Sequence, residues 1–189
     1  DPAQEALAAR LDKLDAQITA QAPAHGLIGR LLGKKPAPAA RGLYIHGAVG
    51  RGKTALMDMF FEVSSEPRKR RAHFHAFMQE VHERVHAHRQ AFKRGETSEE
   101  DPIAPTARAI ARDARLLCFD EFHVLDIADA MILSRLFKVL FEEGVVLVAT
   151  SNTAPEELYW NGLNRELFLP FIKMLRDNAD IFSLDARTD

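Results

Sequence analysis

Gly47-Ala48-Val49-Gly50-Arg51-Gly52-Lys53-Thr54 matches G-x-x-x-x-G-K-[ST] at every defined position. Each residue type has a physical reason to be there. Glycines let consecutive backbone N–H groups curl around phosphate oxygens with no Cβ in the way. A helix beginning near Lys53 points its free amides and its positive dipole end at the same anion. Lys53 brings a point charge to the β- and γ-phosphates, and the Thr54 hydroxyl is a magnesium ligand. The flanks fit as well, with an apolar strand pattern before the motif and a helical one after it. The plain alternative, a glycine-rich turn between strand and helix, explains the flanks but not the Lys-Thr pair.

A second group follows the apolar run Leu116-Leu117-Cys118-Phe119, which ends in Asp120-Glu121. A strand of this kind delivers its last residues to the carboxyl edge of the sheet, where ligands bind in open α/β folds. There Asp120 can hold magnesium through its water shell, and Glu121 can polarise an attacking water as a general base. The competing reading is that both acids only cap the next turn. No N-K-x-D guanine box occurs in the chain, and a small-molecule kinase does not need the second carboxylate. The combination therefore points to water activation, ATP going to ADP and phosphate.

Two polar residues extend the site. Asn152 follows the apolar run Val145–Ala149; a strand beside the acidic one would set its amide near the γ-phosphate, where it helps Glu121 place the water. Asn is also a common turn residue before a helix. Arg165 lies in a helix after that strand, where it can reach a neighbouring subunit's γ-phosphate as an arginine finger or simply pair with Glu166 or Glu156. His73, His75, His82, His86 and His88 form a histidine-rich stretch, and His82-Glu83-Arg84-Val85-His86 matches H-E-x-x-H literally. A chance match on a solvated helix face is preferred to a zinc site, because no third ligand is evident, although His25, His46 or His123 would be the ones to look for. His73 and His75 are expected on one face of a strand.

The elements that must position these residues alternate along the chain. Strands are predicted at 43–46, 71–75, 116–119, 145–149 and 181–184. Helices are predicted at 3–21, 54–63, 76–92, 107–113, 127–143, near 155–160 and at 165–178, irregular near Pro170, with an exposed loop over 94–106. Asp126, with Asp129 three residues on, signals the start of the 127–143 helix, and Thr153-Ala154-Pro155-Glu156 reads as a capping box. Continuous apolar strands alternating with helices mean a parallel sheet covered on both faces. The division expected is an N-terminal helix and linker over 1–41, including a loop around 33–38, and a nucleotide-binding core over 42–189.

Composition sets the outer limits. The chain has 189 residues, 25 Lys+Arg against 27 Asp+Glu and a formal charge of −2, with 47% hydrophobic and 28% charged residues. These are values of an ordinary globular domain, and the near-neutral charge argues against nucleic acid as the partner. Lys34, Lys35, Arg68, Lys69, Arg70 and Arg71 nevertheless leave room for a basic patch. The single cysteine, Cys118, rules out an internal disulfide framework and is expected to be a buried thiol. The apolar runs are too short for a membrane span, and the N-terminus has no signal-peptide pattern, so a cytoplasmic location is expected.

Taken together, Gly42 to Asp58, Arg71 to Met78, Cys118 to Phe122 with Asp126-Ile127-Ala128-Asp129-Ala130-Met131, Ala149-Thr150-Ser151-Asn152, and Pro155 to Arg165 followed by Phe168 to Phe171 resemble the ZapE/AFG-like ATPase family over nearly the whole chain. The resemblance implies a P-loop NTPase of the AAA+ type, a three-layer α/β/α fold with a five-stranded parallel sheet in the order 5-1-4-3-2. It implies ATP and Mg2+ as ligands, Asn152 as the first sensor and Arg165 as the arginine finger of an ATP-dependent homo-oligomer. Bacterial members of the family act in cell division with the tubulin-like ring protein; mitochondrial members assist protein quality control at the inner membrane, so a peripheral position there belongs to the same resemblance. The bacterial role is favoured by the lack of a targeting segment. The family's helical lid, with its second-sensor arginine, is not in this chain, so residues 1–189 alone are expected to bind ATP weakly and turn it over slowly. The alternatives are a nucleic-acid loader or initiator ATPase and a nucleotide switch that binds without turnover.

Overall fold

Along the strand Leu116–Asp120 every residue is buried, and the side chains alternate between two cores. Leu116 and Cys118 belong to one apolar cluster, Leu117 and Phe119 to the other. This is the period-2 geometry of a strand covered on both faces. It recurs in Val146 and Val148 against Leu147 and Ala149.

The computed structural model describes residues 1–21 and 40–184. In chain order the elements are α1 (Pro2–Gln21), β1 (Gly42–His46), α2 (Lys53–Val63), β2 (Lys69–His73), α3 (Phe74–Lys93), α4 (Ile103–Asp113), β3 (Leu116–Asp120), α5 (Ile127–Glu142), β4 (Val146–Ser151), a 3-10 turn (Pro155–Glu157), α6 (Arg165–Asn178) and β5 (Ala179–Ser183). The five strands form one sheet in the order β2-β3-β4-β1-β5, and every pairing is parallel. This is the 5-1-4-3-2 order expected from the resemblance. One face is covered by α3 to α6, whose Phe77, Phe137, Phe168 and Phe171 are buried in the larger core. The other is covered by α1 and α2, with Leu7, Leu11, Leu14 and Ile18 packed with Leu43, Ile45 and Met57.

Several boundaries differ from the sequence reading. β2 ends at His73 and α3 starts at Phe74, not Ala76. The apolar period of Phe74, Phe77, Met78, Val81 and Val85 already begins at Phe74, and this stripe decides the boundary. His75 is therefore on a helix, so it does not share a strand face with His73. α4 starts at Ile103 rather than Ala107, because Ile103, Thr106, Ala107 and Ile110 form its buried stripe. Pro105 sits in its first turn, where a missing N–H costs nothing. The expected helix near 155–160 shrinks to the 3-10 turn, and Thr153 makes no side-chain cap to it. Tyr159, Asn161 and Asn164 have positive φ of 54°, 59° and 57°, and left-handed residues do not propagate a right-handed helix. α6 runs continuously through Pro170. The loop around 33–38, Lys34, Lys35, His25 and the chain beyond Leu184 lie outside the described residues.

Candidate functional site

The phosphate loop leaves β1 and enters α2 through three glycines at positive φ, Gly47 at 152°, Gly50 at 79° and Gly52 at 80°. Nothing lies within 4 Å of a Cβ built on Gly50, so conformation rather than space demands glycine there. At Gly52 a Cβ would come within 3.0 Å of Gln4 Nε2 on α1, and that same amide donates to the Arg51 carbonyl at 3.0 Å. The N-terminal end of α1 thus touches the loop directly.

Lys53 is the first residue of α2 and is buried. Its ammonium donates to the carbonyls of Gly47 (2.7 Å) and Ala48 (2.8 Å) and to Asn152 Oδ1 (3.2 Å). The loop is therefore wrapped around its own lysine, and the end of β4 is brought to it. A cavity of about 340 Å³ opens here, lined by residues 49–55, Glu121 and residues 150–152. Gly50, Arg51, Gly52, Lys53, Thr54, Glu121 and Asn152 are among the lining residues, and Val49 forms an exposed rim.

Glu121 follows β3 with φ of 52°, a conformation costing a non-glycine residue on the order of 1 kcal/mol. The next residue fixes it there. Phe122 N–H donates to the Thr150 carbonyl at 2.8 Å, and the Phe122 carbonyl accepts from Ser151 Oγ at 2.7 Å. Ser151 Oγ also accepts from the Thr153 N–H at 3.1 Å, and Tyr44 Oη donates to the Thr153 carbonyl at 2.7 Å. Burial pushes the Tyr44 phenol well above its ordinary pKa, so it remains a donor. A backbone-anchored clamp between the β3 and β4 ends thus sets Glu121 and Asn152 on one cavity wall. The sequence reading missed Tyr44, Ser151 and Phe122, since a clamp of this kind is invisible until the strands are paired.

Asp120, the last residue of β3, is buried. Its Oδ2 accepts from Arg71 Nη2 at 2.9 Å. His73 Nδ1 lies 2.5 Å from Oδ1 without the alignment of a hydrogen bond, so Oδ1 is a buried oxygen with no hydrogen-bond donor. Asp120 is not among the residues lining the 340 Å³ cavity, but a buried carboxylate oxygen that has a histidine ring beside it and no hydrogen-bond donor among the described residues suits a hard cation or its water. Asp120 with Thr54 at the start of α2 is thus a donor set that fits magnesium.

Arg165 is elsewhere. Its Nη2 donates to the Glu156 carbonyl at 2.5 Å and its guanidinium lies 5.0 Å from the centre of the Trp160 ring. It does not line the 340 Å³ cavity. The pairing with the Glu156 carboxylate is made by Arg176 instead. Among the histidines, His82 Nε2 is 2.6 Å from Asp129 Oδ1, so Asp129 holds α3 to α5, while Asp126 Oδ1 caps α5 by accepting from Ala128 N–H at 2.6 Å. Among the described residues no group of three or more His, Cys, Asp or Glu is arranged to hold a metal. A larger cavity of about 660 Å³, lined in part by His75, His82 and His123, shares Glu121, Ser151 and Asn152 with the phosphate cavity. The basic run is engaged internally: Lys69 Nζ donates to the Phe61 and Ser64 carbonyls (2.5 and 2.9 Å), Arg70 to Glu80 (3.3 Å), and Arg71 to Asp58 and Asp120. Cys118 is buried as expected. Among the described residues no helix is long and apolar enough to cross a membrane.

The 5-1-4-3-2 sheet, the phosphate loop after β1, the acids at the end of β3 and the polar end of β4 define a P-loop ATPase core of the AAA+ type. The chain belongs to the AFG1-like ATPase family, whose model matches residues 1–189. It is 52% identical over 158 residues to Lactation elevated protein 1 homolog B of Danio rerio, covering 82% of this chain and 31% of that protein. It is 47% identical over 166 residues to Cell division protein ZapE of Escherichia coli (strain K12), covering 86% of this chain and 42% of that protein. The chain thus spans less than half the length of these relatives. Among solved structures it resembles DnaI (TM-score 0.53, 15% identity, 85% of this chain and 78% of that one). It also resembles domain III of the Thermotoga maritima replication initiation protein DnaA (TM-score 0.52, 16% identity, 76% and 54%). At these identities the likeness is one of fold.

Proposed function

We propose that the chain binds ATP with Mg2+ at the phosphate loop and hydrolyses it to ADP and phosphate, driving work on protein partners. The observation that carries this reading is the meeting of Lys53, Glu121 and Asn152 on one cavity. The amides of residues 48–54 and the Lys53 ammonium hold the β- and γ-phosphates. Thr54 and Asp120 hold magnesium, which when bound neutralises charge on the phosphate oxygens. Glu121 accepts a proton from a water whose oxygen attacks the γ-phosphorus; the bond to the bridging oxygen breaks and its electron pair leaves with ADP. The Asn152 amide orients that water. Arg165, outside the cavity of its own chain, serves a neighbouring copy in an ATP-dependent homo-oligomer.

The similarity to a bacterial protein named for cell division supports a division role; the cytoplasmic location and the tubulin-like ring protein as partner rest on the family resemblance. The protein quality-control alternative at a membrane periphery rests on the family resemblance, which the chain shares with Lactation elevated protein 1 homolog B. The nucleic-acid loader reading is weaker: Lys69, Arg70 and Arg71 are committed to internal bonds, and the likeness to DnaI and DnaA is one of fold.

The test is phosphate release and fluorescent-ATP binding by the full-length protein and its Glu121→Gln variant. Loss of turnover by about 10²-fold or more with ATP affinity retained supports hydrolysis through Glu121. ATP binding with no phosphate release by either protein supports a nucleotide switch, and equal turnover by both rejects Glu121 as the base.

A further inference from the structure

Among the described residues β2 is an edge strand whose only sheet neighbour is β3, and the register pairs Arg71 with Cys118 and His73 with Asp120. Residues two apart share a face, and Cys118 packs on the α1/α2 side. Arg71, His73 and Asp120 therefore belong to that same side. Asp58 lies on α2 one turn after Thr54, on the same helix face. Arg71 joins the two acids: Nε donates to Asp58 Oδ1 at 2.9 Å and Nη2 to Asp120 Oδ2 at 2.9 Å.

We propose that Arg71 is a positioning residue for the magnesium site, holding the Asp120 carboxylate by Oδ2 so that Oδ1 is the oxygen presented to the metal-bound water. The proposal rests on the Mg-ATP reading above. Asp120 is almost fully buried, with 6% of its side chain accessible, whereas Asp58 is 42% accessible. Without Arg71 the buried carboxylate would have no hydrogen-bond donor among the described residues, only the misaligned and exposed His73 ring 2.5 Å from Oδ1, and would be both costly and free to turn about its Cβ–Cγ bond. The guanidinium fork fixes that rotation while tying β3 to the magnesium-bearing helix α2, since it engages both acids at once.

One effect acts in the opposite direction. A cation beside Asp120 also repels Mg2+. Asp58 offsets that charge, because the Arg71–Asp58 pair is close to neutral as a unit. Orientation then outweighs repulsion, and removing Arg71 weakens magnesium binding instead of strengthening it.

The experiment follows the affinity of the full-length protein for a fluorescent ATP analogue as Mg2+ is raised, beginning in EDTA. For Arg71→Ala the Mg2+ midpoint rises about tenfold or more, as for other residues that orient a metal ligand, while affinity in EDTA stays that of wild type. Arg71→Lys keeps the charge and the fold, but one ammonium does not span both carboxylates, so its midpoint falls in between. Ile172→Val, in the core on the opposite face of the sheet, lowers stability without moving the midpoint. A midpoint that is unchanged or lower in both Arg71 variants overturns the proposal and leaves Arg71 as a tie between β2 and α2. A wild-type protein whose nucleotide binding ignores Mg2+ overturns the underlying Mg-ATP reading as well.

Discussion

The Lys53 ammonium and the Asn152 amide oxygen are 3.2 Å apart, although the two residues come from the start of α2 and the chain just past β4. Lys53 provides charge that a bound triphosphate needs in every state, whereas the Asn152 amide contributes mainly when a water must be aligned. Their variants should therefore separate. Lys53→Ala removes most ATP affinity. Asn152→Ala keeps affinity within about threefold and slows phosphate release by about 10- to 100-fold. Parallel nucleotide titrations and steady-state phosphate release check this; equal loss of binding in both variants would assign Asn152 to ground-state binding.

Arg165 stands apart from the phosphate cavity, bonded to the Glu156 carbonyl and stacked on Trp160. An arginine that works across a subunit boundary has a test that a local structural arginine does not. Full-length Arg165→Ala and Glu121→Gln should each hydrolyse ATP slowly, with Arg165→Ala losing on the order of a thousandfold. Mixed, they should regain activity, because one copy supplies an intact Arg165 and the other an intact Glu121. A mixture no faster than its components would confine Arg165 to its own chain. Thermal melting of Arg165→Ala should change little, since a partly exposed arginine with one hydrogen bond contributes about 1 kcal/mol.

Most of the phosphate site was legible because its residues are adjacent in sequence and their types are dictated by phosphate chemistry; Gly50 to Thr54 needed only a strand before and a helix after. Asp120-Glu121 stands out as a candidate pair because an apolar strand delivers its last residues to the carboxyl edge of the sheet; of the two, Glu121 lines the cavity and Asp120 does not. Less could be read where the cause lies between strands. Arg71 looked like part of a basic run, and only the β2–β3 register shows it held by Asp58 and Asp120. The strained backbone of Glu121 and its clamp through Phe122, Thr150 and Ser151 have no sequence signal, since glutamate is not a residue expected at positive φ. The β2/α3 boundary was misplaced by two residues because Ala72 to His75 fits a strand locally, and the helical stripe starting at Phe74 outweighs that preference.

Arg115 and Glu66 form an ion pair at 2.9 Å with only 5% and 4% of their side chains accessible, and the same Arg115 nitrogen donates to the Ile18 carbonyl in α1 at 3.0 Å. Removing Glu66 leaves Arg115 buried without its carboxylate, and removing Arg115 leaves Glu66 buried with only the Arg68 N–H at 3.0 Å and the half-exposed Arg68 side chain at 4.0 Å. Arg115→Ala should cost about 3–5 kcal/mol of unfolding free energy, and Glu66→Ala a similar amount. Arg115→Ala combined with Glu66→Ala should cost clearly less than the sum of the single losses, since it leaves no charge behind. Urea denaturation of the four proteins provides the cycle, and strictly additive losses would contradict the pairing. Loss of α1 protection from hydrogen exchange in Arg115→Ala would report the bond to Ile18.

Cys118 sits in β3 two residues before Asp120, and burial pushes its thiol up from its ordinary value to about 12. Two consequences follow from the same cause. At pH 8 the native thiol is neutral and enclosed, so a maleimide or iodoacetamide should label it no faster than the protein opens, and at full speed in denaturant. The sign of the stability effect follows from proton linkage. The folded state holds the thiol proton more tightly than the unfolded chain, so this contribution is complete below about pH 9, the ordinary thiol value. It is lost as pH rises toward 12, with a slope of up to about 1.4 kcal/mol per pH unit. Cys118→Ala removes that contribution along with a small packing loss that does not depend on pH. The stability difference between wild type and Cys118→Ala, measured by urea unfolding from pH 8 to pH 10.5, should therefore shrink as pH rises, because the ionisations common to both proteins cancel. A difference that stays constant over that range, or rapid native labelling at pH 8, would show that the thiol is open to solvent in the native protein.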